Sequence, residues 1–331
     1  MTVDAVIEVS RLVKKYGEIE AVRGIDLVVE PGEVFGFLGP NGAGKTTTIS
    51  ILCTLLRPTA GDARVAGFDV VRDPAAVRSR IGLVFQDPSL DDQLTARENL
   101  ELHGRIYGVP GPLRRQRIDE LLGVVELADR ANSLVRTFSG GMKRRLEIAR
   151  GVLHHPQILF LDEPTLGLDP QTRKHIWDYL NELRRREGVT LFMTTHYMDE
   201  AEFCDRIAII DQGQIVALGT PTELKGKIGG DVITLQVSDV PAAAREVEER
   251  FGIAPLSANG TLRIEVPDGA SFLPRLVREL PMRIDSVSLS RPSLDDVFLK
   301  LTGHAIRAEG ASGNEMMRNM GRIWGGRGSR R

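Results

Sequence analysis

Gly39-Pro40-Asn41-Gly42-Ala43-Gly44-Lys45-Thr46-Thr47 fits G-x-x-x-x-G-K-[ST], the pattern of a phosphate-binding loop. Val34-Phe35-Gly36-Phe37-Leu38 precedes it as a nearly unbroken apolar run, the pattern of a buried strand. Ile49, Leu52, Cys53, Leu55 and Leu56 follow at helical spacing. Strand, glycine-rich turn and helix are the context the motif needs. Gly39, Gly42 and Gly44 let the backbone take conformations closed to other residues, so that successive N–H groups face one concavity. The helix start adds its positive end. Lys45 supplies a mobile charge for β- and γ-phosphates, and Thr46 is placed to ligate Mg²⁺.

Composition bounds the rest. The 331 residues predict about two domains with a substantial core. A net charge of −2 gives no global reason to expect a nucleic-acid partner. Cys53 and Cys204 form neither a metal spacing nor a disulfide framework, which fits a reducing cytoplasm. The start of the chain lacks the pattern of a secretion signal, and no apolar run reaches the roughly 18–20 residues that span a bilayer. Any membrane role is expected to come through a partner.

Upstream of the loop, Val6–Val9 and Ile25–Val29 read as strands, with Lys14-Lys15-Tyr16-Gly17 as a turn between them. Read alone, Tyr16 is a half-buried surface tyrosine; its functional alternative is a ring on which a nucleotide base stacks. Downstream, Ile81–Phe85 is a short buried strand ending at Gln86, where a loop begins or a Mg²⁺ or water ligand sits. Residues 95–135 read as a helical insert, with Leu100, Leu102 and Ile106 on one helix and Ile118, Leu121, Leu122 and Val125 on another. Arg114-Arg115-Gln116-Arg117 within it reads as a solvated face.

Ser139 is an N-cap for the helix that follows, and Gly140 and Gly141 at its start make a second anion-seeking turn. The basic triplet Lys143-Arg144-Arg145 is expected to face solvent and partners. Ile158–Leu161 is a buried strand ending in Asp162 and Glu163: one carboxylate can orient Mg²⁺, the other a nucleophilic water. The plainer alternative is a carboxylate pair capping a helix. Leu168-Asp169-Pro170 leads into a helix stopped by Gly188. Thr190–Thr195 is a further strand, ending at His196, and His154-His155 reads as loop. Asp199, Glu200 and Glu202 read as helix N-terminal acids. Four buried strands thus end in Gly39, Gln86, Asp162 and His196. Ligands of open α/β sheets bind outside the carboxyl ends of the strands, so these groups are expected to converge on one triphosphate.

With these motifs in this order, residues 6–225 resemble the ATP-binding cassette (ABC) ATPases. The resemblance implies an α/β nucleotide-binding domain with a P-loop sheet core, an antiparallel β subdomain and a helical subdomain. It assigns adenine stacking to Tyr16, the phosphate loop to Gly39–Thr47, the Q-loop glutamine to Gln86 and the signature to Ser139-Gly140-Gly141-Met142. Asp162 and Glu163 become the Walker B carboxylates, Leu168-Asp169 the D-loop and His196 the switch histidine. The signature usually ends in glutamine, and Met142 departs from that. ATP and Mg²⁺ are the implied cofactors. Glu163 is the implied general base, with His196 and Lys45 on the phosphates and Thr46, Gln86 and Asp162 holding the metal directly or through water. The implied working form is a head-to-tail dimer of two copies, each ATP lying between Gly39–Thr46 of one chain and Ser139–Gly141 of the other.

Thr194 to Glu202 and Arg291 to Leu299 are similar to the ATPase subunits of daunorubicin/doxorubicin-resistance-type exporters. That resemblance implies an ATP-hydrolysing subunit held at the cytoplasmic face of the cell membrane by a separate, integral-membrane ABC-2-type permease, powering efflux of amphipathic drugs. Export of a lipid or polysaccharide, a soluble non-transport cassette ATPase and a nucleotide sensor without turnover are the alternatives. The expected division is a cassette over 1–225, a small α+β domain over 226–303 and a tail over 304–331. The middle part reads β-α-β-α-β with a final short helix, resembling ferredoxin-like accessory domains. Leu294–Leu299 is expected to dock a subunit or, as the plainer reading, to pack the domain's own core. The Gly-, Arg- and Met-rich tail is read as disordered, with a basic amphipathic segment on an anionic membrane surface as the alternative.

Overall fold

A computed structural model describes residues 5–87, 89–226, 230–258 and 260–303. The readings of the tail lie outside the described residues. In chain order the elements are β1 (Ile7–Tyr16), β2 (Ile19–Val29), β3 (Val34–Leu38), α1 (Lys45–Leu52), β4 (Ala60–Val65), β5 (Phe68–Asp69), α2 (Pro74–Arg78) and β6 (Ile81–Val84). Then come α3 (Ala96–Ile106), α4 (Gly111–Val124), α5 (Gly140–Val152), β7 (Ile158–Asp162), α6 (Pro170–Glu187), β8 (Thr190–Thr195) and α7 (Met198–Ala201). The last are β9 (Arg206–Asp211), β10 (Gln214–Gly219), α8 (Pro221–Gly226), β11 (Asp231–Val237), α9 (Val240–Phe251), β12 (Leu256–Ala258), β13 (Thr261–Val266), α10 (Gly269–Glu279), β14 (Ile284–Ser290) and α11 (Leu294–Thr302).

The six-stranded sheet runs β10-β9-β3-β8-β7-β6, parallel except for the β9–β10 hairpin. β3 and β7 are buried at every residue, as strands covered on both faces must be. Phe35, Phe37 and Phe160 gather around Phe192 with ring centroids 5.4–5.8 Å away. The four strands read from the sequence as ending in polar residues are contiguous here. Their carboxyl ends lie in the order Gly39, His196, Asp162, Gln86 along one edge.

A second, antiparallel sheet runs β2-β1-β4-β5. Lys14, Lys15 and Tyr16 belong to strand β1 rather than to a turn; the turn is Gly17-Glu18, with Gly17 at φ 59°. The alternation of β1 is broken by register shifts along its length, which hid the strand from a period-2 reading.

The helical insert contains α3, capped by a reciprocal Thr95–Glu98 box, and α4. Leu100, Ile118, Leu121, Leu122 and Val125 are buried, but Leu102 and Ile106 are exposed, so α3 contributes a narrower apolar face than its pattern suggests. Arg114 and Arg117 do not form a solvated face. Arg117 is buried with Nη2 2.6 Å from Glu187, and Arg114 pairs with Glu101 at 2.8 Å. An Arg fork can bury its stem and still meet a carboxylate, which a count of charges cannot reveal.

The third sheet runs β12-β13-β11-β14, all antiparallel, with α9 and α10 crossing between strands. The three-residue β12 was not visible in the sequence; it completes the β-α-β-β-α-β order of a ferredoxin-like unit. α11 then leaves this unit and packs against α7, α8 and β10. Leu294, Val297 and Phe298 are buried in the same apolar cluster as Met198, Cys204, Ala217 and Leu224. The expected docking element is therefore engaged within its own chain, and it covers the cassette rather than filling only the small domain. No helix among the described residues is long and apolar enough to cross a membrane.

Candidate functional site: a phosphate loop facing two carboxylates

The loop residues sit between β3 and α1. Gly44 takes φ 108° and Gly42 φ 81°, the left-handed region where a side chain is strained. Gly39 is required for a different reason: a Cβ there would lie 2.3 Å from the carbonyl oxygen of Ile210 on β9. Pro40 presents its carbonyl inward, Asn41 and Thr47 are at the surface or half-buried, and Ala43 is buried, its carbonyl accepting from Gly213 N at 3.0 Å. Lys45 Nζ donates to Gly39 O at 2.7 Å and Pro40 O at 3.1 Å and lies 3.4 Å from Glu163 Oε1. Burial lowers the Lys45 pKa, with the Glu163 charge opposing the shift.

Asp162 and Glu163 turn to different partners. Thr194 Oγ1 donates to Asp162 Oδ1 at 2.5 Å and accepts the Glu163 N–H at 3.0 Å. Thr46 lies on the Asp162 side and helps to hold down the Asp162 pKa. Glu163 Oε1 faces Lys45 and His196 Nδ1, the latter at 3.2 Å. Burial raises the Asp162 carboxyl, with the Thr194 hydroxyl opposing. Burial also pushes Glu163 up, but the His196 hydrogen bond and the Lys45 charge outweigh it and the net shift is downward. Glu163 has φ 46°, a conformation that costs a non-glycine residue on the order of 1 kcal/mol or more and that clusters at functional sites.

Lys45, Thr46, Asp162, Glu163 and His196 are thus brought together. Gln86 is exposed just past β6, at the far end of the row of strand ends, and is not drawn against them. Tyr16 is partly exposed at the β1–β2 hairpin, with Lys14 Nζ 5.1 Å from its ring centroid. Ser139 caps α5 by accepting the Met142 N–H at 3.3 Å. Gly141 packs so closely on α6 that a Cβ would meet Thr172 Cγ2 at 2.7 Å. Asp169 caps α6 through Thr172, accepting its N–H at 3.0 Å and its hydroxyl at 2.6 Å. Signature and D-loop therefore share Thr172 as a contact. Met142 packs its side chain against the main core cluster.

Three residues escaped the sequence reading. Thr194 was one threonine in a strand; only its pairing opposite Asp162 shows what its hydroxyl does. Glu200, read as a helix N-terminal acid, is buried and accepts from Thr195 Oγ1 at 2.6 Å, and burial raises its pKa. Arg144, read as facing solvent or a partner, is buried behind the two carboxylates. Arg145 likewise turns inward, to Val125 O at 3.0 Å and Tyr179 Oη at 3.2 Å, while Lys143 pairs with Asp92 at 2.7 Å.

A sheet whose strand ends carry a phosphate loop, two carboxylates and a histidine, with a helical insert ending in a serine–glycine turn, defines an ABC-type nucleotide-binding ATPase. The ABC transporter family profile matches residues 22–166, and the profile of the C-terminal domain of DrrA1-3-like ATP-binding proteins matches 219–302. The chain is 44% identical to the daunorubicin resistance ATP-binding protein DrrA3 of Streptomyces coeruleorubidus, over 93% of this chain and 99% of that one. It is 45% identical to the daunorubicin/doxorubicin resistance ATP-binding protein DrrA of Streptomyces peucetius, over 90% and 92%. A solved ATP-binding cassette, dimeric in a post-hydrolysis state with ADP and Pi, matches with TM-score 0.59 and 32% identity over 65% of this chain and 98% of that one. The chain belongs to the ABC transporter ATP-binding proteins, in the branch that carries the DrrA-like C-terminal domain. It binds ATP and is an ATPase of that class.

Proposed function

We propose that the chain powers efflux of amphipathic drugs through a separate, integral-membrane ABC-2-type permease, to which it binds at the cytoplasmic face. The observation that carries this reading is that likeness to the drug-resistance ATP-binding proteins spans both the cassette and the C-terminal unit. The division into a cassette over 1–225 and an accessory domain over 226–303 belongs to the same proposal.

Phosphoryl transfer to water depends on positioning and charge stabilisation. The loop N–H groups and Lys45 hold the β- and γ-phosphates, and Tyr16 stacks the base. Glu163, held ionised, accepts the proton of the attacking water, and His196 contacts the γ-phosphate from the next strand. Thr46 and Asp162 offer adjoining oxygens, the hard donors Mg²⁺ prefers. Thr46 and Asp162, with Gln86 through water, would hold it, and it would neutralise phosphate charge. Ser139, Gly140 and Gly141 close over the ATP of a second copy in a head-to-tail dimer, with Asp169 beside that interface.

The test is to co-express the chain with a candidate permease in a drug-sensitive host and follow accumulation of doxorubicin. Reduced accumulation that is lost with Glu163→Gln supports the reading. Equal accumulation with and without the pair, across permeases that bind the chain, overturns drug export.

A further inference from the structure

Arg144 lies on the helix that begins at the signature glycines, yet its side chain reaches the back of the catalytic carboxylates. All five guanidinium N–H donors have acceptors. Nε donates to Pro164 O at 2.5 Å, and Nη2 to Asp162 O and Glu163 O at 3.1 Å each. Nη1 donates to Phe85 O and to Glu147 Oε2, the latter at 3.2 Å. Glu147 is fully buried, and its Oε1 accepts the Ser89 N–H at 2.7 Å. Arg150, one turn further on, donates to Ser89 O at 2.6 Å and Ser89 Oγ at 2.5 Å. One row of α5 therefore grips the backbone on both sides of Gln86 and three consecutive carbonyls at the end of β7.

We infer that Arg144, with Glu147 and Arg150, is a positioning clamp that fixes the catalytic carboxylate Glu163 and the Gln86 segment to the signature helix. The inference rests on the reading of Glu163 as the general base. Glu163 is held in the left-handed region, where it persists only if its surroundings over-determine it. Thr194 holds its N–H and Arg144 its carbonyl. Because α5 is a single helix starting at Gly140, a shift of Ser139–Gly141 carries the clamp with it. Under the dimer reading, Ser139–Gly141 faces the ATP of the second copy while Glu163 serves the chain's own. The clamp then links the two ATP sites through one side chain. Lysine cannot replace it, since a point ammonium cannot reach five acceptors in one plane.

The test uses the full chain with Arg144→Lys, Arg144→Met and Arg150→Met. Arg144→Lys should lower kcat about 10²-fold, the scale on which a small misplacement of a catalytic group acts, with ATP affinity within about threefold of wild type. Arg144→Met should be no worse than Arg144→Lys. Amide exchange should accelerate in peptides covering 85–90 and 162–166 together, and not in the phosphate loop. Arg150→Met, which releases Ser89 and removes the Arg150 charge 3.8 Å from Glu147 but leaves every Arg144 donor in place, should loosen 85–90 and lower kcat about tenfold. Unchanged kcat overturns the inference, as does loosening that spreads to the phosphate loop with ATP affinity falling in step. Should the Arg144 variants fail to fold, Arg150→Met decides by the same criteria. Turnover of Glu163→Gln is measured beside them: wild-type turnover there removes the base assignment, while paired exchange in Arg144→Lys still reports on the clamp.

Discussion

Lys45 Nζ and Glu163 Oε1 lie 3.4 Å apart with both side chains buried, joining the phosphate loop to the end of β7. In the mechanism proposed above, the pair sets the charge that would receive phosphate against the carboxylate that would activate water. Its two members differ in what their removal should do. Glu163→Gln keeps volume and hydrogen bonding but not basicity. Turnover should fall by about 10²–10⁴-fold while ATP still binds. Phosphate release and equilibrium nucleotide binding measure the two, and wild-type release would remove Glu163 from its role.

The protonation state of Glu163 has a sign that can be checked. Its folded pKa is lowered from the ordinary 4.5, so it favours the folded state above that value and loses that contribution as pH falls through the lower folded value. Its ionisation should therefore not limit turnover at neutral pH. If a single-turnover pH profile gives an acid limb that Glu163→Gln abolishes, the limb should lie below 4.5. A Glu163-dependent limb near about 6 would contradict the charge balance described here.

Thr194 serves both carboxylate residues through one hydroxyl. Thr194→Val keeps the shape and leaves the Glu163 N–H without its acceptor. The expected stability loss is about 1–3 kcal/mol, read from urea unfolding, together with reduced turnover. Thr194→Ser should retain most of both.

His103 is pushed down to about 3 from 6.5, first by burial and then by the Arg150 and His154 charges. Its folded pKa is depressed, so it contributes stability above pH 6.5 that is lost as the pH falls towards 3. Replacing it by phenylalanine should flatten the acid side of the melting-temperature profile in that window. An unaltered slope would show that His103 does not titrate with unfolding.

Gly141→Ala places a methyl group against Thr172, which also holds Asp169. ATP should still bind the single chain, but ATP-dependent dimerisation should weaken at least about tenfold in sedimentation measured in a Glu163→Gln background. Dimerisation equal to that of the parent would show that this surface does not face the second copy.

Phe298 buries its ring where α11 meets the cassette. Phe298→Ala should cost about 3–5 kcal/mol, the range for deleting a buried aromatic side chain. Protease should then cut within α11 in the folded-state ensemble, whereas a surface substitution such as Lys300→Gln should leave α11 protected. An unchanged melting curve would make the α11 contact incidental.

The motifs determined the class of this protein without help from packing. A phosphate loop between a strand and a helix, a carboxylate pair, a serine–glycine turn and a terminal histidine are local patterns, and local backbone chemistry places each at an element's end. The ferredoxin-like unit was legible for the same reason, since the alternation is regular in β13 and is kept from Ile233 to Val237 in β11. What sequence could not reach was set by contacts between distant residues. The strand order β3-β8-β7-β6 put Thr194 opposite Asp162 and brought His196 to Glu163 while leaving Gln86 apart. Four arginines read as solvent or partner charge, Arg114, Arg117, Arg144 and Arg145, turned inward because carboxylates and carbonyls from other elements satisfy their donors. α11 crossed onto the cassette because α7, α8 and β10 offer an apolar surface that no local pattern in Leu294–Leu299 could announce. The phosphate loop is a property of nine consecutive residues; the buried charge network behind it exists only where four strand ends and one helix meet.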